Sequence, residues 1–434
     1  MTRKSTASRR DFLKRSAATV AGATLGGLSI ARSAHAAGDD TLKVALIGCG
    51  GRGTGAAANC LNVKDKTKLV AVADAFEQRA RGAQGSLKNQ YGDKVDIPDD
   101  RVFFGFDAYL KAIDCAVDMV ILATPPGFRP VQYKAAIDAG RHVFMEKPCC
   151  TDAAGFRTLT EANKKADQKG LKVGVGLQRH HLPHYVETIK RIHDGALGDI
   201  KLLRVWWNMG NIWTKGRQPG DTEMMYQVRN WQYFDYFGGD NIVEQHVHNL
   251  DVANWVMKDH PVEANGMGGR QRRDEFRDMG HVYDHHFVEF TYANGAKMLS
   301  QCRQMPGCWN QVGEEAIGLK GSSNCAGSIA GQNAWNYNGP GVNAYDQEHV
   351  DLVKAIRSGE NCNEGWFGAS SSFTAVLGRM ATYSGQVVRW DDAAAKGPSI
   401  MPERLAWDAE PPIVPDENGS YKHAVAVPGA YKPY

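Results

Sequence analysis

A surplus of one charge is missing from most of this chain. The formal net charge of +3 is carried by the first 36 residues, where Arg3, Lys4, Arg9, Arg10, Lys14, Arg15 and Arg32 face a single acid, Asp11. From Ala37 onward 44 basic residues meet 47 acidic ones. Such a mildly acidic body gives no electrostatic footing to nucleic acid or an anionic membrane. The basic cluster Arg270-Gln271-Arg272-Arg273 is followed by Asp274, Glu275 and Asp278, and it reads as a solvated surface stretch. No apolar run after the N-terminus is long enough for a membrane-spanning helix, which excludes stable membrane insertion. The cysteines, at 49, 60, 115, 149, 150, 302, 308, 325 and 362, include no Cys-x-x-Cys pair. Neither a zinc site nor a disulfide framework is signalled, and most read as small core residues. A bridge between Cys302 and Cys308 stays open.

What is present begins with a leader. Ser8-Arg9-Arg10-Asp11-Phe12-Leu13-Lys14 matches the twin-arginine pattern, an apolar run follows from Ala17 to Ile30, and Ala34-His35-Ala36 supplies small residues for cleavage. Residues 1–36 are therefore expected to be a signal peptide, with the Tat translocase as a partner during export and the periplasm as destination. The full length of 434 residues, 43% of them hydrophobic, suits two soluble domains and a tail. The divisions expected are 37–177, 178–395 and 396–434.

The first of these reads as α/β. Short apolar runs at 42–48, 68–75, 118–126, 142–148 and 171–178 alternate with helical patterns, which predicts repeated βαβ units and a parallel sheet. Gly48-Cys49-Gly50-Gly51-Arg52-Gly53 is a GxGxxG at a strand-to-helix turn. There the first glycine permits the turn, the second lets a pyrophosphate approach the backbone, and the third lets helix pack on strand. Asp74 follows about 21 residues later at the end of the next strand, placed to hold adenosine ribose hydroxyls and to repel a 2′-phosphate. The expected cofactor is NAD rather than NADP.

The stretch Ala123-Thr124-Pro125-Pro126 through Gly140-Arg141-His142-Val143 to Glu146-Lys147-Pro148 resembles the Gfo/Idh/MocA family, the glucose-fructose oxidoreductase and inositol dehydrogenase group. The later "GGDNIVEQHVHNLDVANW" (238–255) resembles that family's second signature. The resemblance implies a Rossmann domain followed by an α+β domain on a large, mostly antiparallel open sheet, whose face covers the nicotinamide and forms the sugar pocket. The second half fits, with strand patterns at 200–210, 284–303 and 315–329 and two helices between about 346 and 390. It also implies a dimer or tetramer.

The same resemblance implies site residues. Lys147 would lie beside the nicotinamide and donate to the substrate oxygen, His248 would accept the proton, and Glu244 would orient or contact substrate hydroxyls. Thr124, Pro125, Glu146 and Lys147 would join Gly48, Gly50, Gly51, Arg52, Gly53 and Asp74 around the cofactor. Arg179, Tyr185 and Asp251 are candidate substrate residues. If 242–255 is one helix, Glu244, His248 and Asp251 share a face. Two departures stand out: Glu244 replaces the usual aspartate, and Arg129 stands where the family commonly has histidine.

Glu244, His246 and His248, with Asp251 and the run Asp284-His285-His286, contain metal-ligand types. Yet His246 and His248 diverge on a helix, and no metal is expected. Trp206, Trp207, Trp213, Trp231, Tyr233, Phe234 and Tyr236 read mostly as core, with one or two facing a ligand. The activity expected is hydride transfer between NAD and a sugar, sugar derivative or cyclic polyol. Because the periplasm lacks a pool of free NAD, export argues for a retained cofactor in a redox-neutral cycle. The alternatives are an NAD-dependent glycoside hydrolase working by oxidation, elimination and reduction, and a non-catalytic carbohydrate-binding protein.

Overall fold

Short β-branched runs closed by glycine or a small polar residue become buried strands because both sheet faces are covered. In the computed structural model, which describes residues 40–273 and 279–434, β1 (Leu42–Ile47), β2 (Thr67–Asp74), β3 (Val102–Phe104), β4 (Met119–Leu122), β5 (His142–Met145) and β6 (Val173–Val175) form this sheet. Its order is β3-β2-β1-β4-β5-β6, all parallel. That order reverses between β1 and β4, and ligands of such sheets bind in the crevice at the strand ends beside the reversal. The leader reading falls on residues outside the described ones.

The second sheet has nine strands. They are β7 (Ile200–Met209), β8 (Pro261–Gly269), β9 (His285–Tyr292), β10 (Lys297–Gln304), β11 (Gln311–Gly318), β12 (Gly321–Ser323), β13 (Ser328–Gly331), β14 (Trp335–Asn336) and β15 (Val388–Arg389). The order is β14-β13-β12-β11-β7-β10-β9-β8-β15, antiparallel except where β10 lies parallel to β7. Alternation along β9 and β10 puts Val288, Phe290, Met298 and Cys302 inward and leaves Phe287 41% exposed on the other face. The inward face packs on helices Val247–Met257 and Gly365–Ser384. The latter also packs on helix Ala153–Lys169 of the first domain, so it is a shared wall between the two sheets. Helix Ala344–Ser358 packs back on the first domain through Leu352 and Val353.

One expectation changes here. The segment Arg270–Arg273 is solvated only at its middle, where Gln271 and Arg272 are exposed; Arg270 donates to the Gly280 carbonyl (2.5 Å). Arg273 is 2% exposed and donates to the Tyr283 carbonyl (3.0 Å), because Asp284 gathers the backbone N–H groups of residues 271–273 and turns the chain inward. All nine cysteines are free, Cys302 buried with its thiol on Asn241 Oδ1 (2.9 Å) and Cys308 exposed. The tail from 396 wraps this chain's own surface, and Tyr421 is fully buried in a cluster with Phe234 and Tyr236. Among the described residues no helix is long and apolar enough to cross a membrane.

Candidate active site

The strand ends at the sheet reversal open on a cavity of about 620 Å³. One end is walled by Gly48, Gly50, Gly51 and Gly53 after β1, and by Asp74, Phe76, Arg79 and Phe106 beyond β2 and β3. The other end is walled by Thr124 and Pro125 after β4, Glu146 and Lys147 after β5, and by Glu244 and His248 from the second domain. Trp213 and Trp231 also line it, while Trp207 stacks on His248 (5.7 Å) and Tyr233, Phe234 and Tyr236 are core.

The glycines divide by role. Gly48 has φ +97°, and a Cβ on Gly53 would lie 1.8 Å from the Gly48 carbonyl oxygen, so both are required by the close packing of helix Gly51–Asn62 on β1. Gly50 and Gly51 instead open on empty space, which leaves backbone N–H groups bare at a helix N-terminus. Asp74 is 7% exposed, with one carboxylate oxygen accepting from Cys49 N–H (2.7 Å) and the other from Phe76 N–H (2.9 Å). A carboxylate has further lone pairs, so it can still accept from ribose hydroxyls. Burial raises its pKa, and the two N–H bonds act against that. A bare N–H cradle, a fixed carboxylate and a long groove fit a dinucleotide.

The strand ends are tied from beneath. Arg129 is 1% exposed; its Nε donates to the Glu146 carbonyl (3.0 Å) and its Nη2 to the Thr124 carbonyl (2.6 Å). Burial lowers its pKa to about 10. It thus clamps the ends of β4 and β5 one residue before Lys147. The Thr124 hydroxyl donates to Gln132 Oε1 (2.6 Å). Arg52 is not left to the cofactor alone, since its Nε lies 3.0 Å from Glu146 Oε1. Burial raises the pKa of Glu146, with Arg52, Lys147 and Arg129 opposing.

At the reactive end, Lys147 Nζ donates to the Glu244 carbonyl (2.7 Å) and lies 3.2 Å from Glu244 Oε1. The Lys147–Pro148 peptide is cis. His248 is 7% exposed, and burial, then the charges of Lys147 and Arg179, lowers its pKa well below the ordinary histidine value. A neutral imidazole beside an ammonium can accept a hydroxyl proton while the ammonium steadies the oxygen.

The candidate substrate residues lie elsewhere. The segment after Asp240 is two helices, Asn241–Glu244 and Val247–Met257, joined by Gln245 and by His246, whose ring lies 2.9 Å from Ser300 Oγ. Asp251 therefore does not join Glu244 at the cavity. Its carboxylate accepts from Ser371 Oγ (2.8 Å) and lies 2.8 Å from His180 Nε2, whose ring is packed between Trp255 and Phe367. Arg179 pairs with Glu314, which also accepts from Tyr185 (3.1 Å) and Asn249. This network is outside the cavity lining and acts through Arg179's charge on His248. No strand of the nine-stranded sheet lines the cavity either; the helices at 241–257 and the segment 213–232 stand between. Among the described residues no three or more His, Cys, Asp or Glu side chains are grouped to hold a metal ion.

Two sequence models of one family match the chain. Residues 42–177 match the oxidoreductase family with an NAD-binding Rossmann fold, and residues 185–322 match the GFO/IDH/MocA C-terminal domain. The chain belongs to the Gfo/Idh/MocA oxidoreductase family. Its cofactor is NAD. It is 25% identical over 287 residues to inositol 2-dehydrogenase of Rubrobacter xylanophilus, covering 65% of this chain and 71% of that one. It is 26% identical over 224 residues to inositol 2-dehydrogenase of Rhizobium meliloti, covering 52% of this chain and 57% of that one. Among solved structures, aldose-aldose oxidoreductase from Caulobacter crescentus, complexed with glycerol, superposes with a TM-score of 0.62 at 19% identity, covering 80% of this chain and 99% of that one.

Sequence reasoning missed Arg129's clamp, Phe76, Phe106 and Tyr345 at the cavity, and the Glu314 network. Only Arg129 carried a signal, as a departure from the family pattern.

Proposed function

We propose that this protein oxidises a hydroxyl-bearing carbon of a sugar, sugar derivative or cyclic polyol, and that it does so as an exported protein that keeps its NAD through a redox-neutral cycle. The carrying observation is the junction of Lys147, Glu244 and His248 at one end of a groove whose other end is the glycine cradle and Asp74. The names of the relatives, inositol dehydrogenases by sequence and an aldose-aldose oxidoreductase by fold, support the substrate class. When bound, NAD supplies the hydride acceptor.

The residues divide the remaining work. His248 takes the hydroxyl proton on a ring nitrogen. The Lys147 ammonium donates to the same oxygen as negative charge develops there. Glu244 holds Lys147 in place and offers a carboxylate to neighbouring hydroxyls. Arg129 keeps the Glu146 carbonyl, and hence the start of the Lys147 segment, in register. The leader's twin arginines support export, since that route moves folded, cofactor-loaded protein. The outward sheet face, with Met267 77% exposed and Phe287 beside it, supports a homo-oligomer.

The test is cofactor content followed by exchange. Protein purified from the exported fraction and washed without added nucleotide is expected to release stoichiometric NAD or NADH on denaturation. Deuterium on one sugar should then appear in a second without free NADH. Empty protein that turns over only with added NAD would leave an ordinary dehydrogenase.

A further inference from the structure

The adenosine end of the groove is backed by a ring from the C-terminal tail, which lies beyond residue 322, where the family matches end. Phe76 and Phe106 line that end together with Asp74 and Arg79. Behind them sits Trp407 from the C-terminal tail, its ring 4.9 Å from Phe76 and 4.3 Å from Phe106. The guanidinium groups of Arg79 and Arg229 lie over Phe76 at 5.0 and 5.3 Å. Arg229 belongs to the segment 213–232, which roofs the groove with Trp213, Lys215, Val228, Trp231 and Gln232.

The tail is fastened along its whole path. It leaves the first domain where Ile400 N–H donates to Asp152 Oδ2 (2.9 Å) and Arg157 donates to the Gly397 carbonyl (3.1 Å). After Trp407 it meets the roof: Gln227 donates to the Ile413 carbonyl (2.7 Å), and Arg217 donates to the Tyr421 hydroxyl (2.8 Å), which donates in turn to Glu223. It ends on the second domain, where Tyr283 donates to the Ala426 carbonyl (2.8 Å) and Gly429 N–H to the Ser384 carbonyl (2.8 Å). The tail thus ties roof to floor across the groove, with Trp407 as its one ring against the cofactor's wall residues.

We propose that Trp407 is a positioning residue for the adenosine end of the cofactor site, and that through it the tail slows release of NAD(H). This rests on the NAD reading of the groove and extends it to retention. Two aromatic pairs brace Phe76 and Phe106, and their loss frees both rings to move and admits water behind them. Cofactor must then leave faster, while Lys147 and His248, at the other end, keep their geometry.

The experiment follows NADH fluorescence after a chase with excess NAD in the full-length protein. Trp407→Ala is expected to speed release on the order of tenfold, raise the KM for NAD and leave kcat at saturating NAD unchanged. Trp407→Phe should restore slow release to within about threefold. Release from folded Trp407→Ala at the wild-type rate overturns the proposal, as does a fall in kcat with KM unchanged. If Trp407→Ala does not fold, Tyr421→Phe, which unties the tail from Glu223, is the deciding variant and must release NADH faster. Wild type that binds no NADH overturns the cofactor reading as well, a result distinct from wild-type binding with unaltered release in the variants.

Discussion

Replacing Asp74 by serine should invert the cofactor preference. The Asp74 carboxylate ends β2 at 7% exposure, fixed by the N–H groups of Cys49 and Phe76, so it cannot swing away from an incoming phosphate. Two unit charges about 4 Å apart interact by about 4 kcal/mol at an effective dielectric near 20, and a 2′-phosphate carries more than one charge. Arg79, on the same wall, returns part of that. A net penalty of about 2–4 kcal/mol remains, which is roughly 30- to 1000-fold in favour of NADH. In Asp74→Ser the repulsion vanishes, Arg79 stays, and the ribose hydroxyls lose a charged acceptor worth about 1.5–3 kcal/mol. Fluorescence titration of stripped protein should show NADH binding weakened about tenfold or more and NADPH binding strengthened. Wild type that binds both cofactors equally, or a variant with the wild-type ratio and a normal melting curve, would refute the reasoning.

The glycine cradle makes a paired prediction. Gly50→Ala, at φ −71° with open space ahead of it, should melt as wild type yet lose NADH affinity by about 100-fold or more. Gly53→Ala, whose Cβ would sit 1.8 Å from a carbonyl oxygen, should lose both affinity and several degrees of melting temperature. His349 is fully buried, its ring tilted against Phe144 at 4.1 Å, with no hydrogen-bond partner for either ring nitrogen, and burial, then Arg52 and His181, lowers its pKa to about 3. The unfolded chain takes up this proton near pH 6.5 and the folded chain does not, so stability falls as pH drops below 6.5. From pH 7 to 5, denaturant melts should show wild type losing about 2 kcal/mol more than His349→Phe. Equal acid losses would contradict it.

What could be read from the chain alone was what local rules impose. A GxGxxG after a β-branched run, Asp74 at the end of the next strand and Lys147 beyond β5 need only periodicity, glycine sterics and short spacing. The parts that escaped depend on partners far away in the chain. Asp251 was placed on Glu244's face by helical spacing, but the helix is interrupted at 245–246, and its real partners, His180 and Ser371, stand 71 and 120 residues off. Arg129 looked only like a missing histidine; that it would clamp two strand ends follows from β4 and β5 being neighbours. The tail carries no periodic pattern, so nothing in it announced that Trp407 meets Phe76.

The central claim is that Lys147 serves hydride transfer from a hydroxyl-bearing carbon to NAD. A single-turnover reaction of NAD-loaded protein with inositols and aldoses, followed by nicotinamide absorbance, tests it most directly. Wild type should form one equivalent of NADH per active site, and Lys147→Met should do so at least about 100-fold more slowly, with cofactor still bound. Reduction by Lys147→Met at the wild-type rate would contradict the account.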